Sequence, residues 1–454
     1  MKSPDPREGA EYTPGSFQRT MLLWEEAQPY NAAHILRLEG PSNPAALEAA
    51  LRGAVRSAGV ETLFVDRRSS RCRWSPGGEV RLRVLEPAEK SRDDALRSAV
   101  AADMDRPFPE EPCHPVRWSV LDDRESGCHD VIAVYRHVAG DAYSMRALIG
   151  NALAAYLGKT GRAAPIRPRG AAPASARLGP RRALAAAVSI LRAARLYTRL
   201  RRAHRFRERR GASPATGWRS VDAGPDFLGR LRDAARAAGY HLGELFTAAL
   251  SGALAECTPE RRRHPRRRAL AIGVVRDLRA EDPRDLADDF AVHLGQAVVI
   301  IDDPDEPDFE KLLARIARSL RDEKEARTFS GPQGAFLALA SARRLVGRRR
   351  TRAWYRKVFP LSAGVSNVRW SADAFGPWAE KLLAYRRVAP LGPALPLVVA
   401  PTTAGGRFSI SISYLESAFT AAQAGAIEAA FLRRLEEFSS SPAPNAFDTG
   451  MRAP

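Results

Sequence analysis

The residues best suited to chemistry lie in one segment, Tyr135-Arg136-His137-Val138-Ala139-Gly140-Asp141-Ala142-Tyr143-Ser144-Met145. Histidine exchanges a proton near neutral pH, and an aspartate can fix a nearby cation or an imidazole ring. Taken alone, His137 and Asp141 allow two readings: acid–base catalysis, or polar packing between residues that need not touch. Their setting is compatible with either. Asp130 to Tyr135 reads as a strand apolar on both faces, which belongs near the middle of a sheet. Ser144 to Leu157 reads as a helix with Leu148, Ala152 and Ala155 on one face. A strand-to-helix junction holds side chains on a rigid support and leaves them accessible.

The elements around this junction alternate between helix and strand. Phe17–Glu26 reads as a helix, Ala32–Glu39 as a strand, and Pro44–Ala58 as a helix with Leu47, Leu51 and Val55 on one face. Val80–Val84 and Val116–Leu121 read as strands, and Ser91–Asp103 as a helix. Lys159–Ala176, rich in Pro, Arg, Gly and Ala, reads as a linker. Arg181–Arg210 reads as an arginine-coated helix with a short apolar stripe of Leu184, Val188 and Leu191. Its readings are a solvated helix, a dock for an anionic carrier or ligand, or a membrane-surface helix. Beyond it, Leu228–Ala238, Leu242–Ala255, Phe309–Leu320, Phe336–Val346 and Thr420–Leu435 read as helices. Ala269–Val275 and Ala297–Ile301 read as strands, and Val398–Pro401 and Arg407–Tyr414 as neighbouring strands. The tail after Phe438 is expected to fray.

Composition excludes several classes. The chain has 454 residues, 45% of them hydrophobic, which is enough for sizeable cores without staples. Glycine and proline, 33 each, follow no Gly-x-y period, so collagen is out. No repeat suggests a solenoid. The cysteines, Cys72, Cys113, Cys128 and Cys257, form no CxxC pair and no zinc pattern, so no metal is expected. No apolar run reaches membrane-span length, and the polar start lacks a secretory apolar region, so the expected compartment is the cytoplasm. His34 reads as a strand-face residue, and the role of His293 stays open.

The 71 basic against 52 acidic residues give +19, which favours an acidic partner without naming one. Nucleic-acid binding is the competing class, carried by clusters such as the arginines between Arg261 and Arg268. No recognisable reader module accompanies them, so no specific nucleic acid is expected.

The ordered motifs carry a resemblance. Thr13-Pro-Gly-Ser16-Phe-Gln18 through Trp24, Pro29-Tyr30-Asn31, and Arg136-His137-x-x-x-Asp141-Ala142 resemble segments of the condensation-domain and chloramphenicol-acetyltransferase-like acyltransferase superfamily. So do Val275-Arg276-Asp277-Leu278-Arg279, Asp289-Phe290 through Gly295-Gln296, and Val365-Ser366-Asn367-Val368. The third segment is similar to the family's His-His-x-x-x-Asp-Gly motif, with Arg136 replacing its first histidine and Ala142 its glycine.

The resemblance implies an α/β fold of two chloramphenicol-acetyltransferase-like lobes in a V-shaped condensation-domain arrangement. The lobes are expected over residues 1–176 and 212–454, with a basic helical connection over 177–211. A tunnel between them is expected to admit a phosphopantetheine- or CoA-linked acyl donor from one face and an amine or alcohol acceptor from the other. No permanently bound cofactor is expected, and the donor's partner is expected to be an acidic acyl or peptidyl carrier protein.

In this reading His137 is the general base. Asp141 is a supporting residue paired with Arg279. Ser366 and Asn367 stabilise the oxyanion, orient the acceptor, or simply form a turn. Gly295 and Gln296 line the tunnel. Arg136 is expected beside the base, or turned away to bind Asp130 or an acidic substrate. The alternative is a condensation-like protein that has lost acyl transfer and recruits a carrier or partner enzyme.

Overall fold

The computed structural model describes residues 11–67, 71–86, 91–123, 125–158, 164–168, 194–209, 214–264, 266–282, 285–325 and 351–440. The chain builds two sheet-and-helix lobes. The first lobe has a five-stranded sheet in the order Leu382–Val388, Asn31–Glu39, Cys128–Arg136, Val116–Asp123, Leu82–Leu85. The strand placed mid-sheet by its two apolar faces, Cys128–Arg136, is the third of these five, and every residue in it is buried.

Helices Pro44–Ala58 and Ala142–Tyr156 pack together in the first lobe's core, through Leu47, Leu51 and Val55 and through Leu148, Ile149 and Ala152. Asn43 caps the former by accepting from the Ala46 amide, with proline at its first position, and Gly59 ends it at a left-handed φ of 67°. Helix Arg92–Asp105 packs Leu96, Val100 and Met104 against Ile35, Ile132 and Val134 in a separate cluster.

The second lobe's sheet runs Leu294–Ile301, Leu270–Asp277, Ala363–Val365, Leu397–Ala404, Arg407–Leu415, Thr216–Ala223, and Val368–Trp370 pairs with the Leu397–Ala404 strand. Helices Pro225–Ala237, Leu242–Cys257, Phe309–Glu325 and Ala421–Ser440 bury their apolar stripes in its core. The neighbouring strands expected near the C-terminus pair antiparallel, Val399 opposite Ile412. A further apolar cluster joins the lobes. It packs Met21, Trp24 and Tyr30 with Ala271, Val298, Phe359 and Leu391.

Several readings change. The arginine-coated helix does not reach Arg210: residues 194–200 are helical, and the chain then leaves helix. The cause is edge pairing and burial. Ala203 bridges Ala269, the His204 amide donates to the Ala269 carbonyl, and Leu200, Ala203 and Phe206 are buried. The helix read at Phe336–Val346 and most of the linker fall outside the described residues. Thr62–Asp66 with Arg71–Ser75, Thr216–Ala223 and Leu382–Val388 are additional strands. The last of these crosses from the second half of the chain to pair with Asn31–Glu39 in the first lobe. Among the described residues no helix is long and apolar enough to cross a membrane.

Candidate active site at the lobe junction

The loop His137–Asp141 leaves the central strand of the first lobe and is pinned from three sides. The His137 amide donates to the Tyr30 carbonyl, the Asp141 amide donates to the Ala291 carbonyl, and Gln18 Nε2 donates to the Val138 carbonyl at 3.0 Å. Gln18 thus ties the opening segment of the chain to the histidine loop. Gly140 lies in close quarters: a Cβ there would meet the Phe290 ring at 3.2 Å and the Ser144 Cβ at 3.3 Å.

His137 is buried, with its ring stacked on Tyr30 at a centroid distance of 5.8 Å and edge-on to Tyr135. Its Nδ1 lies 3.1 Å from the Gly140 carbonyl, which can only accept. The proton therefore belongs on Nδ1, and Nε2 keeps its lone pair. Burial lowers the imidazole's pKa below its ordinary value, and the Gly140 carbonyl and Asp141 only partly offset this. The ring is neutral at neutral pH and ready to accept a proton.

Asp141 does different work. Its carboxylate caps helix Ala142–Tyr156 by accepting from the Ser144 amide at 3.0 Å. It also accepts from the His293 amide at 2.9 Å and from Arg279 at 2.7 and 3.1 Å, a bidentate pair. Burial pushes this carboxyl up, but the field of Arg279 and the donated hydrogen bonds outweigh it, so the pKa ends below the usual carboxylate range. Arg279 also contacts Asp277 at 3.2 Å and Ser144 Oγ at 3.1 Å. The second half of the chain thereby holds the loop that presents the histidine.

A cavity of about 180 Å³ opens at this junction. Its walls include His137, Asp141, Arg279, Gln296, Ser366 and Asn367, so most of the residues read from the sequence share one cavity. Ser366 and Asn367 form a two-residue break between strands Ala363–Val365 and Val368–Trp370; both strands run parallel to Leu397–Ala404, so the chain makes no turn there. Two readings need correction. Gly295 does not line the cavity: strand alternation turns Leu294 and Gln296 toward it and leaves Gly295 on the other face.

Arg136 does not reach the cavity either. Strand alternation from His137 carries it to Glu25, which it contacts at 2.7 Å through Nη2 and 3.0 Å through Nε. Both side chains are nearly buried. The other expected partner, Asp130, pairs instead with Arg92.

The cavity also has walls that sequence reasoning did not assign to it. Tyr30, His34, Tyr135 and Arg387 face it, with Gly273 from the second lobe. His34 lies on the Asn31–Glu39 strand with Nδ1 2.5 Å from the Tyr385 hydroxyl, and burial holds it far below its ordinary pKa. Tyr30 stood within a recognised segment, but nothing local to Arg387 marked it. His293 contributes its backbone amide to Asp141, while its ring lies 3.5 Å from Asp289.

No protein-family model matches the sequence, and no curated protein matches it. Solved structures do match in fold. The first condensation domain of the calcium-dependent antibiotic synthetase, solved with a substrate analogue, superposes with a TM-score of 0.64 at 18% identity, covering 96% of this chain and 97% of that one. The starter condensation domain of rhizomide synthetase RzmA, solved with C8-CoA and Leu-SNAC, gives 0.66 at 15% identity, covering 95% of each chain. The X-domain from teicoplanin biosynthesis gives 0.56 at 21% identity, covering 95% of this chain and 96% of that one. The fold is that of a nonribosomal-peptide-synthetase condensation domain, with the two α/β lobes that the motifs lead one to expect.

Proposed function

We propose that this chain is an acyltransferase that moves an acyl group from a thioester to an amine or alcohol, with His137 as general base. The observation that carries the reading is the imidazole itself: it faces a cavity at the lobe junction, with Nδ1 anchored on the Gly140 carbonyl and Nε2 free to accept. The acceptor N–H or O–H places its heavy atom on the thioester carbonyl carbon, and Nε2 takes the proton. The C–N or C–O bond forms, the C–S bond breaks, and the proton passes to the departing thiolate. No acyl-enzyme is required. Where the acceptor is already a neutral amine, positioning and charge stabilisation contribute more than proton removal.

Ser366 and Asn367, on the wall contributed by the second lobe, are the groups to stabilise the oxyanion or orient the acceptor. Asp141 and Arg279 act as positioning residues. The donor is a phosphopantetheine- or CoA-linked acyl group that arrives as substrate. The +19 charge supports an acidic carrier protein as its bearer. The likeness to antibiotic-synthetase domains supports a place in nonribosomal peptide or related secondary metabolism, in the cytoplasm.

The buried Arg136–Glu25 pair, standing where the motif has its first histidine, favours one other reading: a condensation fold that recruits a carrier or enzyme without transferring acyl groups. Intact-mass screening decides between them. Carrier-bound and CoA-bound acyl donors are incubated with amine and alcohol pools, using wild type and His137→Ala. Product from wild type, and much less from the variant, is expected. No product across the donor panel, or equal product from both, rejects the general-base reading.

A further inference from the structure

Five arginines in the described residues are nearly buried: Arg136, Arg146, Arg261, Arg279 and Arg387. A guanidinium taken out of water needs a counter-charge. Arg136 has Glu25, Arg261 has Asp305, and Arg279 has Asp141 and Asp277. Arg146 has no carboxylate partner among the described residues, but it donates to the Ala374 carbonyl, lies 4.9 Å over the Tyr143 ring, and does not line the cavity. Arg387 is different. It is 5% exposed, lines the cavity, and pairs with no carboxylate among the described residues.

The surroundings of Arg387 are neutral. It sits on the crossover strand Leu382–Val388, directly opposite His34. Its Nε donates to Thr402 Oγ1 at 3.0 Å and its Nη2 to the Ser366 carbonyl. Its Cζ lies 5.9 Å from the Trp370 ring centre. Nη1, with two N–H groups, makes no hydrogen bond among the described residues. These contacts fix the side chain's direction without neutralising it. Burial lowers its pKa to about 10, so it remains a cation at neutral pH. The carboxylates of the cavity wall, Asp141 and Asp277, are both engaged by Arg279.

We propose that Arg387 makes this cavity a binding site for a substrate carboxylate, received on Nη1 opposite His34. The proposal rests on reading the cavity as the substrate cavity, and it adds a chemical class to that reading. The carboxylate has two possible bearers. It is either the free end of a dicarboxylic acyl donor or the free carboxylate of an amino- or hydroxy-acid acceptor. A water-filled cavity leaves the guanidinium's charge to solvent alone, whereas a carboxylate supplies a charge-assisted hydrogen bond in a poorly polarisable site.

The test is calorimetric binding of matched probes to the full chain. The acceptor arm compares N-acetylleucine with N-acetylleucinamide. The donor arm compares glutaryl-pantetheine with the same thioester bearing a terminal carboxamide. In one arm the carboxylate is expected to bind at least about 10-fold more tightly than its amide. Arg387→Gln is expected to bring the two to within about twofold, and Arg387→Lys to keep part of the preference.

Calorimetry reads binding without turnover. An inactive enzyme therefore counts against the catalytic reading and not against this one. Equal binding of carboxylate and amide in both arms overturns the proposal, as does no binding of either carboxylate, or an undiminished preference in folded Arg387→Gln. Thermal unfolding of the same preparations reports folding, and if Arg387→Gln does not fold the wild-type ratio decides alone.

Discussion

Replacing Asp141 tests whether the lobe-bridging pair holds the histidine loop. Asp141→Ala removes the acceptor of four hydrogen bonds: two from Arg279, one from the His293 amide and one from the Ser144 amide. Losing one partner of a buried ion pair costs about 3–5 kcal/mol, and losing a helix cap costs about 1 kcal/mol. Arg279 keeps Asp277 at 3.2 Å and Ser144 Oγ at 3.1 Å, so the arginine is not left bare. We therefore expect the lower end, about 3 kcal/mol, for Asp141→Ala.

Arg279→Gln leaves a fully buried carboxylate with backbone donors alone and is expected to cost at least as much. The double variant is expected to be more stable than the sum of the single losses implies, by about 2 kcal/mol of coupling. Urea unfolding followed by tryptophan fluorescence measures the cycle. The pH dependence supplies a second check. Because the folded pKa of Asp141 is depressed, its contribution is complete above the unfolded carboxylate value near 4 and is lost as pH falls through the folded value. Asp141→Asn should therefore flatten the acid side of the stability profile. A coupling below about 0.5 kcal/mol, or an Asp141→Asn protein as stable as wild type at pH 7, would refute the reasoning.

Other outcomes follow from the same geometry. His137→Ala should keep the wild-type unfolding midpoint while slowing single-turnover acyl transfer by roughly 10²–10⁴-fold; unchanged turnover in folded protein rejects the base assignment. The acid limb of transfer should have its midpoint below the ordinary histidine value of about 6.5, since burial favours the neutral ring; a midpoint above that value contradicts the environment described here. Glu25→Gln strands the buried Arg136 and should cost about 3–5 kcal/mol in a denaturant melt, with much of the loss recovered by pairing Glu25→Leu with Arg136→Met. Equal instability of single and double variants would argue against charge burial as the cause. Gly273→Ala places a Cβ 2.5 Å from Gln296 Nε2 and 3.2 Å from Leu361 at the cavity wall, and should weaken probe binding in the calorimetric assay more than it lowers the unfolding midpoint.

Local pattern was enough for much of this molecule. The two apolar faces of Val131–Tyr135 marked a strand at the sheet's middle, and Pro44 with the stripe of Leu47, Leu51 and Val55 marked the helix Pro44–Ala58, because periodicity and the opening proline depend on neighbours in sequence. The spacing from His137 to Asp141 marked the loop, and the degenerate motifs that followed it named Arg279, Gln296, Ser366 and Asn367 as companions. Tertiary structure decided what those residues touch. Arg136 and His137 are adjacent in sequence, yet pleating sends one to Glu25 and the other to the cavity. Gly295 and Gln296 part company for the same reason. The strand Leu382–Val388 leaves the second half of the chain and pairs beside His34, carrying Arg387 to the cavity wall. Nothing within that strand encodes the meeting, because a buried cation without a counter-charge can be recognised only when every neighbour from distant parts of the chain is in place.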